Sequence, residues 1–116
     1  MTDNARERLR SQLIELARAG RTATYAQVGS QVGLDVRRGA DMNFLTSSLR
    51  AVSEAEHHQG RPLLSAVCVM AGVKRPGQGF FDLARQVGLM QSGQDNREFF
   101  ETEVARVHAY WKDAAL

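Results

Sequence analysis

The chain has 116 residues, 43% of them apolar, with 15 Lys and Arg against 13 Asp and Glu, a net charge of +2 and one cysteine. Its length suits one domain with its own core, its composition excludes a disordered chain, and its longest apolar run, residues 66–71, is far short of the roughly 20 residues of a membrane span. The first residues are polar rather than a secretory leader, and Cys68 alone allows no internal disulfide, so a cytoplasmic protein without membrane contact is expected.

A first helix is predicted over residues 3–19. Thr2 or Asp3 can cap it, Leu9, Leu13, Leu16 and Ala17 form one stripe with Ile14 beside it, and Gly20 ends it. A second helix starts at Thr24. Thr24-Tyr25-Ala26-Gln27 has the capping-box pattern, Tyr25, Val28 and Val32 make the inner face, Gly29 permits close packing, and Gly33 is the stop. The third helix, capped by Asp35 or Asp41 and ending near residues 57–60, has Phe44, Leu45, Leu49 and Val52 on its apolar face. Asn43, Thr46, Ser47 and Arg50 lie largely on its other faces.

Residues 62–70 (PLLSAVCVM) are apolar and partly β-branched between Gly60 and Gly72, which predicts a strand. Residues 72–79 carry three Gly, Pro76, Lys74 and Arg75 and predict a turn or wing tip, with a short return strand over 79–81. Phe80, Leu83, Ala84 and Val87 suggest a short helix closed by Gly88. Asp95 is the expected cap of the last helix, with Glu98 at the capping-box position. Phe100, Val104, Val107 and Trp111 then make a helical stripe that covers the core or forms the seam of a homodimer.

Three helices followed by a β-hairpin make a winged-helix layout. The expected fold is therefore α+β, mainly α: a winged helix-turn-helix with two additional C-terminal helices in a single domain, residues 1–116. Its helical core spans 3–60 with the helix-turn-helix at 24–57, its strand and wing 62–81, and its last helices 82–116. In such a domain the second helix of the turn enters the major groove. The charge pattern agrees. Residues 5–50 hold eight Arg (6, 8, 10, 18, 21, 37, 38, 50) against Glu7, Glu15, Asp35 and Asp41; residues 61–85 hold Arg61, Lys74, Arg75 and Arg85 against Asp82; after that acids predominate. A basic front is an electrostatic footprint for phosphate, although the same arginines would serve as ordinary solvated helix surface. The expectation is a non-enzymatic duplex-DNA-binding regulator or accessory factor. Arg37, Arg38, Asn43, Thr46, Ser47 and Arg50 would face the duplex, and Lys74 and Arg75 would contact phosphate from the wing. Arginine suits guanine or phosphate in bidentate pairs, and asparagine suits adenine.

Thr24-Tyr25-Ala26-Gln27-Val28, then Gly33, then Arg37-Arg38, then a strand carrying Cys68, resembles the C-terminal DNA-binding domain of the O6-alkylguanine alkyltransferases and their alkyltransferase-like relatives, over about residues 21–79. The resemblance implies a DNA-binding helix-turn-helix. It departs at the reactive centre. That family carries a Pro-Cys-His-Arg motif, whereas Cys68 stands between Val67 and Val69 with no local histidine to lower its pKa. Cys68 therefore reads as a small buried strand residue rather than an alkyl acceptor.

Other chemistry finds little support. His57 and His58 are adjacent and point about 100° apart on a helix, no CxxC or HExxH accompanies them or His108, and Gly77-x-Gly79 lacks the Lys-Ser/Thr of a phosphate loop. No Gly-x-Ser-x-Gly or paired-carboxylate signature occurs. No cofactor or metal is expected. One of Phe80 and Phe81 could stack a base while the other packs inward. The alternative is a protein-interaction module, an adaptor, inhibitor or immunity-like protein. The modest net charge, the acidic last helix and the aromatic pairs Phe80-Phe81, Phe99-Phe100 and Tyr110-Trp111 favour it.

Overall fold

The computed structural model describes residues 2–114, with side chains from residue 4. Helix α1 (Thr2–Arg18) buries the stripe predicted for it: Leu9, Leu13, Leu16 and Ala17 lie inside with Ile14. Its expected caps, the side chains of Thr2 and Asp3, lie outside the described residues. A two-residue strand, β1 (Ala23–Thr24), leads into α2 (Tyr25–Gln31). Thr24 caps α2 as its sequence implies: its hydroxyl accepts the Gln27 amide at 3.2 Å, and the Gln27 side chain accepts the Thr24 amide at 2.9 Å. Gly33 takes a φ of +83°, which lets the Leu34 amide reach back to the Gly29 carbonyl at 2.8 Å. A Cβ on Gly29 would stand 3.0 Å from Val36, so the bare glycine lets the loop after α2 close against the helix.

Helix α3 (Gly39–His58) starts at Arg38 without a side-chain cap. The two candidate caps are used upstream. Asp41 accepts the Asp35 amide at 2.9 Å and Asp35 accepts the Arg37 amide at 3.0 Å, so both carboxylates shape the loop instead of closing the helix end. The inner face of α3 is Leu45, Ser48, Leu49, Val52, Ser53 and Glu56, with Phe44 half-buried.

The chain after α3 departs from expectation. Of residues 62–70 only β2 (Cys68–Val69) is strand, and it pairs with β1 in parallel, Ala23 opposite Cys68 and Thr24 opposite Val69. Leu64–Val67 is a 3₁₀ turn. Every residue from 62 to 69 is buried, so the apolar run records burial on all sides rather than a strand's alternation. The return strand over 79–81 does not form: these residues belong to α4 (Gln78–Gln86). No β-hairpin wing exists among the described residues. In its place is a turn over 70–77, closed by the Met70 amide on the Arg75 carbonyl and the Lys74 amide on the Met70 carbonyl, both at 2.9 Å.

Helix α5 (Asn96–Asp113) is capped by Asp95, which accepts the Glu98 amide at 2.9 Å. Phe99, Phe100, Val107 and Trp111 are buried and Val104 is half-buried, as α5 packs on α1 and on the 3₁₀ turn. The α5 stripe thus covers the core. The fold is α+β and mainly α, with one small parallel sheet. No helix among the described residues is long and apolar enough to cross a membrane.

Candidate nucleic-acid interface

Asn43, Thr46, Ser47 and Arg50 stand at i, i+3, i+4 and i+7 of α3, which places them on one face. Asn43, Thr46 and Ser47 are exposed and Arg50 is half-exposed. The Thr46 and Ser47 hydroxyls both donate to the Asn43 carbonyl, at 3.1 and 2.8 Å, which leaves their lone pairs turned outward. The Arg50 guanidinium donates to the Gln86 side chain of α4 and keeps further N–H groups free. Arg38 is exposed at the start of α3. Arg37 is exposed too, but Asp35 holds its guanidinium through two contacts of 3.0 Å. That hydrogen bonding keeps the Asp35 carboxyl below its usual range.

Other cations of the basic front are also engaged. Glu56 is buried and accepts Arg10 at 2.8 Å and Arg61 at 2.6 Å. The free positive charge is therefore smaller than the count of arginines suggests. What remains near the α3 stripe is Arg50 and the turn carrying Lys74 and Arg75, with Arg38 exposed farther off at the head of the helix.

A cavity of about 410 Å³ opens beside the stripe. Met42, Thr46, Ser47, Leu49 and Arg50 of α3 form one wall, and Ser65 lines it from the 3₁₀ turn. Met70 and residues 76–79 form the wall across from α3, Phe80 and Leu83 of α4 complete it, and Tyr25 borders it from α2. Three of the predicted interface residues (Thr46, Ser47 and Arg50) therefore line this cavity, with Asn43 on the same face. Lys74 and Arg75 lie in the turn that walls it, while Arg37 and Arg38 sit apart at the head of α3. Lys74 has a φ of +56°, uncommon for a residue with a side chain.

Tyr25 has a role that helical periodicity did not reveal. Its hydroxyl accepts the Gly77 amide at 2.8 Å and so fastens the basic turn to α2. Burial pushes the Tyr25 phenol up in pKa. A Cβ on Gly77 would stand 3.3 Å from the same oxygen. Ser53 and Ser65 were also missed as a pair. Ser53 accepts the Ser65 amide at 2.9 Å, and the two hydroxyls are hydrogen-bonded to each other at 2.6 Å. The available signal was a serine inside the apolar run PLLSAVCVM and another on the inner stripe of α3.

Cys68 is fully buried, and burial pushes its thiol up to about 12. A thiol so placed is neither nucleophile nor ligand at neutral pH. Phe80 and Phe81 are both buried, with rings edge to face at 5.1 Å, so neither projects a stacking surface to solvent. Among the described residues no three His, Cys, Asp or Glu gather as a metal site. Comparison of the chain with protein families, with characterised proteins and with solved structures finds no match. The geometry therefore carries the functional reading.

Proposed function

We propose that this protein binds duplex DNA without acting on it as an enzyme, as a regulator or accessory factor. In this reading α2, the stop at Gly33 and α3 serve as the helix-turn-helix, and the basic turn over 70–77 stands where a winged helix has its wing. The observation that carries it is the exposed polar stripe Asn43, Thr46, Ser47 and Arg50, beside a turn bearing Lys74 and Arg75. The stripe offers both donors and acceptors, which base edges in the major groove require, and the turn offers cations for phosphate. The resemblance of residues 21–79 to the DNA-binding domain of the alkyltransferases supports the same reading, with the alkyl-transfer chemistry left out because Cys68 is buried and unactivated.

A protein partner has less behind it. Phe80, Phe81, Phe99, Phe100 and Trp111 all lie in the core, and of the aromatic pairs only Tyr110 is exposed, at 41%.

Fluorescence anisotropy with a labelled duplex over a range of salt tests the proposal. Log affinity should fall linearly with log salt, as counterion release demands. Arg38→Ala and Lys74→Ala should each flatten the slope by about one, whereas Asn43→Ala should change sequence preference more than slope. Absence of binding at low salt, or a slope that ignores both cations, overturns it.

A further inference from the structure

A second cleft, of about 580 Å³, lies between α1 and the C-terminal half of α3. Ala51, Ala55 and His58 line it at i, i+4 and i+7 of α3, about a third of a turn round the helix from the stripe of Asn43, Thr46, Ser47 and Arg50. Arg6 and Arg10, one turn apart on α1, line it from the other helix, and Arg61 from the chain that follows α3. The three guanidinium groups keep donors to spare. Arg10 gives Glu56 only its Nε, at 2.8 Å, and Arg61 gives it Nε at 2.6 Å and Nη2 at 3.3 Å. Both Nη groups of Arg10 and the Nη1 of Arg61 donate to nothing among the described residues, and the exposed Arg6 enters no ion pair there. Arg10 is steadied from a second side, its guanidinium standing 5.6 Å from the centre of the Trp111 ring. Glu56, 1% exposed, is thus a fixed post that orients two guanidinium groups and leaves part of each fork open. The acids on the lining are Glu56 and Glu7, so three guanidinium groups meet two carboxylates, and one positive charge is left over with His58 counted neutral.

We propose that this cleft binds a phosphate group, with Arg6, Arg10 and Arg61 as its donors. Guanidinium forks held in place suit oxyanions. A phosphate has oxygens enough to accept from three of them, whereas a carboxylate has two. Beyond the arginines the wall is small and apolar at Ala51 and Ala55, which leaves room for the body that carries the phosphate. That group has two sources: a free phosphorylated small molecule, or the backbone of a bound duplex. Only the second rests on the DNA-binding reading.

Two arms separate the sources. In the first, ¹⁵N NMR follows titration with inorganic phosphate and with pyrophosphate, at constant ionic strength made up with chloride so that screening does not change. The expected result is saturable shifts at the Arg10 and Arg61 side-chain N–H groups and the Ala51 and Ala55 amides. Arg6→Ala, which leaves Glu56 paired and the core untouched, weakens that binding by roughly three- to tenfold. Glu7→Gln, which removes an acid from the lining, tightens it. Arg61→Lys keeps a charge beside Glu56 but not the fork, and weakens it. The second arm is duplex anisotropy over a range of salt. A slope that Arg6→Ala flattens by about one assigns the phosphate to the duplex backbone; an unchanged slope assigns it to a free ligand. Phosphate that binds no better than chloride, or equally well to Arg6→Ala, overturns the inference whatever the duplex does. Salt-dependent duplex binding in that case leaves the DNA reading intact. Phosphate binding without duplex binding upholds the inference and overturns that reading.

Discussion

Replacing Glu56 by glutamine tests how the fold holds its buried charge. Glu56 is 1% exposed and takes three hydrogen bonds: Arg10 Nε on Oε2 at 2.8 Å, Arg61 Nε on Oε1 at 2.6 Å and Arg61 Nη2 on Oε2 at 3.3 Å. Glutamine keeps the volume and one acceptor. Its amide then faces the two donors that Oε2 had received, so two charge-assisted bonds are lost. Each is worth about 1.5–3 kcal/mol. The arginine side chains are 40% and 26% exposed and recover part of that from water, which brings the net cost to about 2 kcal/mol, below the roughly 3–5 kcal/mol of a fully buried pair. For a domain of this size, that corresponds to a fall in Tm of about 6–10 °C. Acidity adds an independent check. Burial alone would push the Glu56 carboxyl up, but hydrogen bonds from Arg61 and Arg10 outweigh it and hold the group below the ordinary glutamate range. The unfolded chain therefore takes up this proton first as pH falls. The stabilisation is whole above the unfolded value and drains away as pH passes down through the folded one. Urea unfolding of both proteins between about pH 6 and pH 3 should show the gap between wild type and Glu56→Gln closing toward acid. A gap under about 0.5 kcal/mol at neutral pH, or one that widens in acid, would refute the reasoning.

Two other substitutions or treatments read separate parts of the molecule. Tyr25→Phe removes the acceptor of the Gly77 amide and should cost about 1–2 kcal/mol in urea unfolding while speeding hydrogen exchange of that amide. Unchanged exchange would mean that the turn over 70–77 is held by its own backbone bonds alone. Cys68, with its thiol pushed up to about 12 by burial, should resist a disulfide reagent at neutral pH in the folded protein and react fully in denaturant; prompt labelling of the native protein contradicts that burial.

The helical half of the fold was legible because its signals are local. The capping bonds between Thr24 and Gln27 span three residues, Gly33 acts on the turn next to it, and the stripes of α1 and α5 repeat within single helices. The two strands expected over 62–70 and 79–81 were misread because the structure there is decided elsewhere. The apolar run takes a 3₁₀ turn since α1, α3 and α5 surround it, and β2 finds its partner in β1, more than forty residues upstream. Phe80 and Phe81 begin a helix rather than a return strand because both rings enter the core. For the candidate site, the residues of α3 were accessible from periodicity alone. The cavity was not, since its walls come from α2, α3, α4 and the chain between β2 and α4, which only the tertiary fold assembles.

The misread segment also explains which polar side chains are buried. A chain without regular structure that crosses a core must find partners for its backbone or forfeit them. Between α3 and β2 it finds them at every second residue. Arg61 is tied to Glu56, the Leu63 amide to Glu103 at 2.8 Å, and the Ser65 amide to Ser53 at 2.9 Å. Glu103 interrupts the apolar face of α5 for this reason, and its second oxygen takes Arg106 at 2.6 Å near the surface. Ser53 and Glu56 interrupt α3 in the same way, one turn apart. These three acceptors hold the chain between α3 and β2, including Ser65 where it lines the cavity. The buried polar residues that look like defects in two amphipathic helices thus fix the irregular segment that carries Ser65 to the cavity lining.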